Sequence, residues 1–168
     1  SLKIIEKWHG GADGKIRIAL ASPYIFGRHT MRGRFSHEYK PEDIPVMIED
    51  AMEMRRLADE HGVQIHTHIF GGSAEYALDN FGEEVVDSIL GSDIVVAHGN
   101  GLNPREVEAL GRNGCGVATA PSTMENVWYG YPPIMGLLEA GANVSISTDG
   151  SAPRFSFDIF KDIHRAMW

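Results

Sequence analysis

The sequence predicts an α/β fold in which short parallel strands alternate with helices. Three apolar runs end abruptly in a polar side chain, at His68, His98 and Asp149. Between such runs lie segments whose apolar residues recur at helical spacing, as in residues 44–58. Because parallel strands need crossover connections, this alternation predicts βαβ units whose strand ends meet at one edge of a sheet.

Glycine, proline and capping residues mark where the individual elements begin and end. Pro41 suits the first position of a helix, Gly62 suits a helix end, and Ser156 suits an N-cap. The run Asn103–Glu106 combines a capping side chain, a proline and an acid three residues on, which predicts a helix start. The Gly-Asn-Gly segment 99–101 indicates a turn. The predicted strands are 15–21, 63–68, 93–98, 116–120 and 143–148, and the predicted helices are 1–8, 41–61, 73–80, 83–90, 104–113, 134–140 and 157–168.

Composition narrows the classes of protein to which this chain can belong. Its 168 residues, 43% of them hydrophobic, are enough for one domain with a core. A net charge of −8 argues against nucleic acid as a partner, since phosphate backbones attract basic surfaces. No apolar run approaches the ~18 residues of a membrane span, and no signal peptide is evident. We therefore predict a cytoplasmic protein with no membrane partner.

Two loops contain further polar residues that could contact a substrate. Glu125 and Asn126 follow a predicted strand, where substrate contacts are common in α/β barrels, but a solvated loop is an equal alternative. The loop 27–40 contains basic residues that could bind an anionic part of a substrate, although a solvated loop is favoured. These basic residues are Arg28, His29, Arg32 and His37. The single cysteine, Cys115, precedes a strand and is predicted to be inert.

Four motifs follow one another along the chain. They are Ile65-His66-Thr67-His68, Val96-Ala97-His98-Gly99, Ala120-Pro121-Ser122-Thr123, and Ser147-Thr148-Asp149-Gly150 followed by Phe157-Asp158-Ile159-Phe160. In this order they resemble the motifs of the amidohydrolase superfamily of metal-dependent hydrolases, in the branch that contains cytosine and guanine deaminases and triazine hydrolases. Each motif alone is weak, but their common order and spacing make the resemblance specific.

The resemblance implies that the five predicted strands correspond to about the fourth to eighth strands of a TIM-type (αβ)8 barrel. Residues 1–168 would then be a partial metal-dependent hydrolase barrel domain. His68, His98 and Asp149 would correspond to metal ligands of the family. Asp149 would also take a proton from the attacking water, and His98 would also act in catalysis by holding the water or the developing oxyanion, or would bind a second metal. His66 lies two residues before His68 on the same side of the strand, where it would line the barrel interior. We favour His68 over His66 as the metal ligand and assign His66 to substrate binding.

The chain departs from the family pattern in two places. The His-x-His pair of the family's first strand is absent, since His9 stands alone before residue 15. The chain therefore resembles an internal fragment without the first three strands and the small β-sandwich domain. The second departure is Gly71, which holds the place where family deaminases carry a glutamate that shuttles a proton. Gly71 thus weakens the case for deamination but not for hydrolysis in general.

Each candidate residue also has an ordinary structural interpretation. A histidine after an apolar run is more often a packed residue than a ligand, and Asp-Gly pairs favour turns. The functional interpretation depends on His68, His98 and Asp149 occurring together at three strand ends. Scattered positions for these side chains in the fold would exclude it.

The functional hypothesis is a metal-dependent hydrolase that cleaves a C–N bond of a small polar molecule through metal-activated water. The bond could belong to an amide, a cyclic amide or an amidine. Zinc is the favoured divalent metal, and iron and manganese are the alternatives. The alternative hypothesis is a non-catalytic barrel fragment that needs the missing N-terminal part to bind metal. An open partial barrel exposes sheet edges, so we also expect another copy of the chain or the missing part to cover them.

Overall fold

A computed structural model describes residues 2–26, 44–122, 130–150 and 157–167. Five strands and the helices between them alternate along these ranges. The strands are β1 (Ala19–Ala21), β2 (Gln64–Phe70), β3 (Ile94–Asn100), β4 (Gly116–Thr119) and β5 (Asn143–Ile146). The helices are α1 (Leu2–Trp8), α2 (Gly11–Gly14), α3 (Ile44–His61), α4 (Ser73–Phe81), α5 (Glu83–Ile89), α6 (Pro104–Arg112), α7 (Ile134–Glu139) and α8 (Ile159–Ala166).

The five strands form one parallel sheet in sequence order, β1-β2-β3-β4-β5. All four strand pairs are parallel, which confirms the predicted α/β class and the βαβ units. One row across the sheet joins Ala21, His66, Val95, Gly116 and Asn143. Because every strand runs the same way, all five carboxyl ends lie at one edge of the sheet.

The two faces of β2 differ sharply in burial. Ile65, Thr67 and Ile69 are buried, whereas His66 and His68 are exposed. The buried face belongs to a core that also takes apolar side chains from β3, β4 and the helices, among them Val86, Ile94, Leu110, Val117 and Leu137. The opposite, exposed face of β2 carries both histidines, as strand alternation predicted.

The start of β3 is attached to α3 by a bidentate ion pair. Arg55 Nη1 donates to Asp93 Oδ1 over 2.8 Å, and Arg55 Nη2 approaches the second carboxylate oxygen. The guanidinium lowers the pKa of the Asp93 carboxyl, and burial opposes this effect. This ion pair lies at the amino end of the strand, away from the edge that carries His98.

Several predicted boundaries differ from the structure. The first strand covers only Ala19–Ala21, because β2 provides backbone partners for just these three residues. The predicted turn at 99–101 is wrong in its first part, since β3 continues to Asn100, which pairs with Phe70. The last helix begins at Ile159 and is capped by Asp158, whose side chain accepts from Phe160 N. Ser156, the predicted cap, and Pro41 lie outside the described residues.

The predicted helix start at 103–106 is confirmed in detail. The Asn103 side chain accepts from the backbone N–H groups of Arg105 and Glu106, and the Glu106 side chain accepts from Asn103 N. Pro104 occupies the first helical position.

Within the described ranges, no helix combines the length and apolar character that crossing a bilayer requires.

Candidate functional site

His68 and His98 lie next to each other at the carboxyl edge of the sheet. They belong to the adjacent strands β2 and β3, where His68 pairs with Ala97 and His98 pairs with Ile69. Their imidazole rings are stacked, with centroids 5.3 Å apart and an angle of 20° between the planes. Parallel pairing thus brings together two side chains that are 30 residues apart in the sequence.

A backbone carbonyl determines which nitrogen of His68 carries the proton. The Nδ1 atom of His68 is 2.8 Å from the carbonyl oxygen of Pro23, just after β1. Because a carbonyl oxygen can only accept, Nδ1–H is the donor, and the lone pair of the neutral ring is then on Nε2. Such a hydrogen bond is typical of metal-binding histidines, whose second nitrogen is oriented by a carbonyl or carboxylate.

His98 is partly buried and packs against two rings of β2. Its imidazole stacks on the ring of Phe70, with centroids 4.9 Å apart, and on the ring of His68. Tyr24 contacts His68 and Phe70, so Tyr24, His68, Phe70 and His98 make up one group, which we call the ring cluster.

Burial lowers the pKa of His98, while the charge of Asp149 opposes this shift and His68 adds to it. The neutral imidazole, the form that binds metals, is therefore favoured.

Asp149 follows the end of β5 and acts on His98 through its charge. Its side chain is exposed, and its Oδ1 accepts a hydrogen bond from Gly150 N over 2.6 Å. The Asp-Gly interpretation as a local turn is thus compatible with a role at the site. Among the residues that the structure describes, no three His, Cys, Asp or Glu side chains are grouped closely enough to hold a metal ion.

The backbone is left-handed at both His98 and Asp149, with φ angles of 76° and 58°. This region costs a residue with a Cβ roughly 1–2 kcal/mol, although aspartate tolerates it better than most. At His98 the left-handed turn coincides with an irregularity in the ladder, where the register passes from Ile69–His98 to Phe70–Asn100. Ala12 and Asp13, near the start of the chain, share this conformation, and such strain persists only where the surrounding structure fixes it.

The remaining predicted site residues fall into two groups. His66 lies on the exposed face of β2, two residues before His68 and paired with Val95, and its assignment to substrate binding stays a prediction. Glu125, Asn126 and the basic residues of loop 27–40 lie outside the described residues. The structure brings His68 and His98 together but does not group Asp149 with them as a three-residue metal site, and the roles of all three stay predictions.

Sequence reasoning did not identify three groups that shape this site. Pro23 and Tyr24 follow the predicted strand 15–21 and carry no predicted role, yet they contact His68. Phe70 had no assigned role, yet it packs against His98. Their one sequence signal is position, because each directly follows the carboxyl end of a predicted strand or lies at it.

Gly71 has no room for a side chain. A Cβ built on Gly71 would fall far inside contact distance of the carbonyl oxygen and carbon of Gly101, in the loop after β3. The two loops are also joined by a hydrogen bond of 2.7 Å from Gly71 N to Asn100 O. The glycine predicted to replace the family glutamate is therefore required by the close approach of two backbones.

Cys115 is fully buried immediately before β4. Burial raises the pKa of its thiol to about 11, which leaves little thiolate at neutral pH. Both features agree with the predicted inert thiol.

Comparison with known proteins identifies the class. The model of the amidohydrolase family matches residues 5–167. A 5-methylthioadenosine/S-adenosylhomocysteine deaminase from Thermococcus onnurineus is 36% identical over 68% of this chain and 28% of its own length. The deaminase of that name from Haloarcula marismortui is 30% identical over 99% of this chain and 36% of its own. The chain belongs to the amidohydrolase family and spans about a third of the length of these relatives.

Solved structures show that the fold is shared. A triazine hydrolase from Arthrobacter aurescens matches 94% of this chain and 32% of its own, with a TM-score of 0.64 and 21% identity. A zinc-bound adenosine deaminase from Xanthomonas campestris matches 71% of this chain and 29% of its own, with a TM-score of 0.59 and 21% identity. The five-stranded parallel sheet therefore corresponds to part of the TIM-type barrel of this family, as the resemblance implied.

We predict that His98→Gly unfolds at a higher urea concentration than His98→Ala. Both variants lose the imidazole, but only glycine adopts the left-handed backbone without strain, so its free energy of unfolding should be greater by about 1 kcal/mol. The matched pair is His66→Gly and His66→Ala in β2, where alanine should be the more stable by about 0.5–1 kcal/mol. If the alanine variant were the more stable one at position 98 as well as at position 66, strain in the His98 backbone would be contradicted.

We predict that Gly71→Ala lowers the free energy of unfolding by at least about 2 kcal/mol, because its methyl group would displace the backbone at Gly101. Gly136→Ala in α7 is the control, since its Cβ would make only ordinary contacts at 3.7 Å and alanine is the better helix former. Thermal and urea unfolding measure both variants. Equal stability of the two variants would refute the close approach.

Proposed function

We propose that the whole protein is a hydrolase that cleaves a C–N bond of a small polar molecule with a metal-activated water. The observation that supports this most directly is the pair His68 and His98, which stack 5.3 Å apart at the edge where barrel enzymes carry their active sites. Membership of the amidohydrolase family supports the same class. Relatives named as deaminases act on C–N bonds, which agrees with the proposed reaction.

The donor chemistry of His68 and His98 fits a divalent ion. The hydrogen bond from His68 Nδ1 to Pro23 leaves Nε2 as the coordinating atom, and the lowered pKa of His98 favours its neutral ring. Asp149 adds a carboxylate whose charge reaches His98. Imidazole and carboxylate are ligands of zinc, which structural neighbours such as the Xanthomonas deaminase contain, and iron or manganese are the alternatives.

Asp149, His98 and His66 would each have a different role in the reaction. A bound divalent ion supplies a Lewis acid that lowers the pKa of water from about 15.7 towards ~7. The second carboxylate oxygen of Asp149 is available to accept the proton of the attacking water, since Oδ1 accepts from Gly150 N. His98 orients the reacting groups, and its stacking on Phe70 limits the rotation of the ring. His66, on the same sheet face, would contact the substrate.

Two kinds of C–N bond are candidates. Deamination is the first, because curated relatives from several organisms are named as deaminases. Hydrolysis of an amide or cyclic amide is the second, and Gly71 favours it, since the position cannot carry the shuttle glutamate. If the reaction is deamination, the proton for the leaving amine comes from a group other than residue 71.

We predict that the whole protein holds a stoichiometric divalent metal and releases ammonia from an amino-substituted purine nucleoside. His68→Ala should lose the metal and lower kcat/KM by at least ~100-fold, because it removes a ligand. His61→Ala is the matched control, as His61 ends α3 at the amino side of β2. A wild-type protein that contains no zinc, iron or manganese, and is unchanged by His68→Ala, would overturn the proposal. Cleavage of a cyclic amide without ammonia release would favour the second candidate.

We further predict that the 168-residue chain alone binds zinc weakly and is inactive. Its described residues contain no group of three close donors, whereas zinc sites normally have three or four protein ligands. Equilibrium dialysis followed by metal analysis should leave substoichiometric zinc, reduced further in His68→Ala. Tightly retained stoichiometric zinc would contradict this, and the chain would then be a complete metal site.

The proposed partners are a small-molecule substrate and a protein surface that covers the open sheet. The exposed sheet face at His66 and His68 supports the second of these, because a closed barrel would bury it. Either the rest of the same protein or another copy of the chain would cover the face.

A further inference from the structure

Glu106, in the first turn of α6, is a completely buried carboxylate. A charged group at zero exposure must be paired or hydrogen-bonded, because its desolvation is otherwise prohibitively unfavourable. The partners of Glu106 are backbone N–H groups from two separate segments. Asn103 N belongs to the loop between β3 and α6. Gly72 N belongs to the loop between β2 and α4, and the N–H groups of Ala74 and Glu75 belong to the first turn of α4.

The hydrogen bonds of Glu106 involve both carboxylate oxygens. Oε1 accepts from Gly72 N at 2.9 Å, Ala74 N at 3.0 Å and Glu75 N at 3.1 Å. Oε2 accepts from Asn103 N at 3.0 Å, with a second contact of 3.1 Å to Gly72 N. One side chain therefore caps its own helix and also the N-terminus of α4, where backbone donors and the helix dipole favour a negative charge.

The two loops that Glu106 joins directly follow the strands that carry the histidines. Gly72 lies four residues after His68, and Asn103 lies five residues after His98. Between these points the loops touch without intervening side chains, through Gly71 and Gly101. Glu106 and the contact between Gly71 and Gly101 therefore connect the segment after His68 to the segment after His98.

The backbone at His98 needs such a restraint. Its left-handed φ of 76° and the ladder irregularity after it are unfavourable locally. Strained residues persist only where the surrounding structure over-determines their conformation. The hydrogen bond from Gly71 N to Asn100 O holds one side of this bend, and the Glu106 carboxylate holds the loop beyond it.

We propose that Glu106 is a positioning residue that keeps the rings of His68 and His98 in contact by joining the loops that follow them. The role requires a carboxylate of this length. Glutamine has one acceptor oxygen and would point an N–H donor at backbone donors, and aspartate is one methylene too short to reach both loops. The proposal needs neither metal nor substrate, so it can fail or succeed independently of the proposed function.

The test compares Glu106→Gln with wild type in the 168-residue chain, by NMR at a temperature well below unfolding. In wild type, nuclear Overhauser effects should connect the His68 and His98 rings, whose centroids are 5.3 Å apart. Glu106→Gln should lose these effects while the helical signal in circular dichroism remains. The matched control is Val107→Ala, which destabilises the same helix through the core and should keep the ring contact. Retention of the contact in Glu106→Gln would overturn the proposal.

A second measurement keeps the proposal testable if Glu106→Gln does not fold. In the wild-type chain, the amide protons of Gly72, Ala74 and Asn103 should exchange with solvent in one cooperative opening, since they share one acceptor group. Their protection factors are expected to agree within about threefold under conditions where the population of the open state determines the exchange rate. Protection factors at Gly72 and Asn103 that differ by more than about tenfold would show that the loops open separately and would exclude the role.

Discussion

The parallel pairing of β2 with β3 is the constraint on which the rest of the structure depends. It aligns Ile69 with His98 and His68 with Ala97, so that both histidines reach the same edge of the sheet. The burial of Ile65, Thr67 and Ile69 on the opposite face fixes this arrangement, because a shift by one residue would turn the histidines into the core. The position of the candidate site is thus a consequence of core packing.

Several residues at the candidate site have backbone conformations or contacts that are unfavourable by themselves. His98 and Asp149 are left-handed, and Gly71 meets Gly101 backbone to backbone. The fully buried carboxylate of Glu106 lies beside these features and satisfies four backbone donors. Strain at the strand ends and a dense hydrogen-bond network just behind them are therefore two parts of one arrangement. The Arg55–Asp93 ion pair lies at the opposite, amino edge of the sheet, the side that serves stability in barrel folds.

Local signals predicted the elements well where a short range of sequence decides the structure. The capping box at 103–106 marked the start of α6, and Gly62 marked the end of α3. Boundaries failed where a neighbouring strand decides them, as at β1, which is only as long as its pairing with β2. The end of β3 was misjudged for the same reason, since Asn100 extends the strand by pairing with Phe70.

The sequence by itself determined the order of strands and helices, their parallel direction and the residue types at the strand ends, because periodicity and capping are local properties. Only the tertiary structure decided that His68 stacks on His98, that Pro23 selects the proton position on His68, and that Glu106 joins two loops. These contacts link residues up to 45 positions apart, and their geometry depends on sheet register and helix packing together. No pattern within a single segment records that combination.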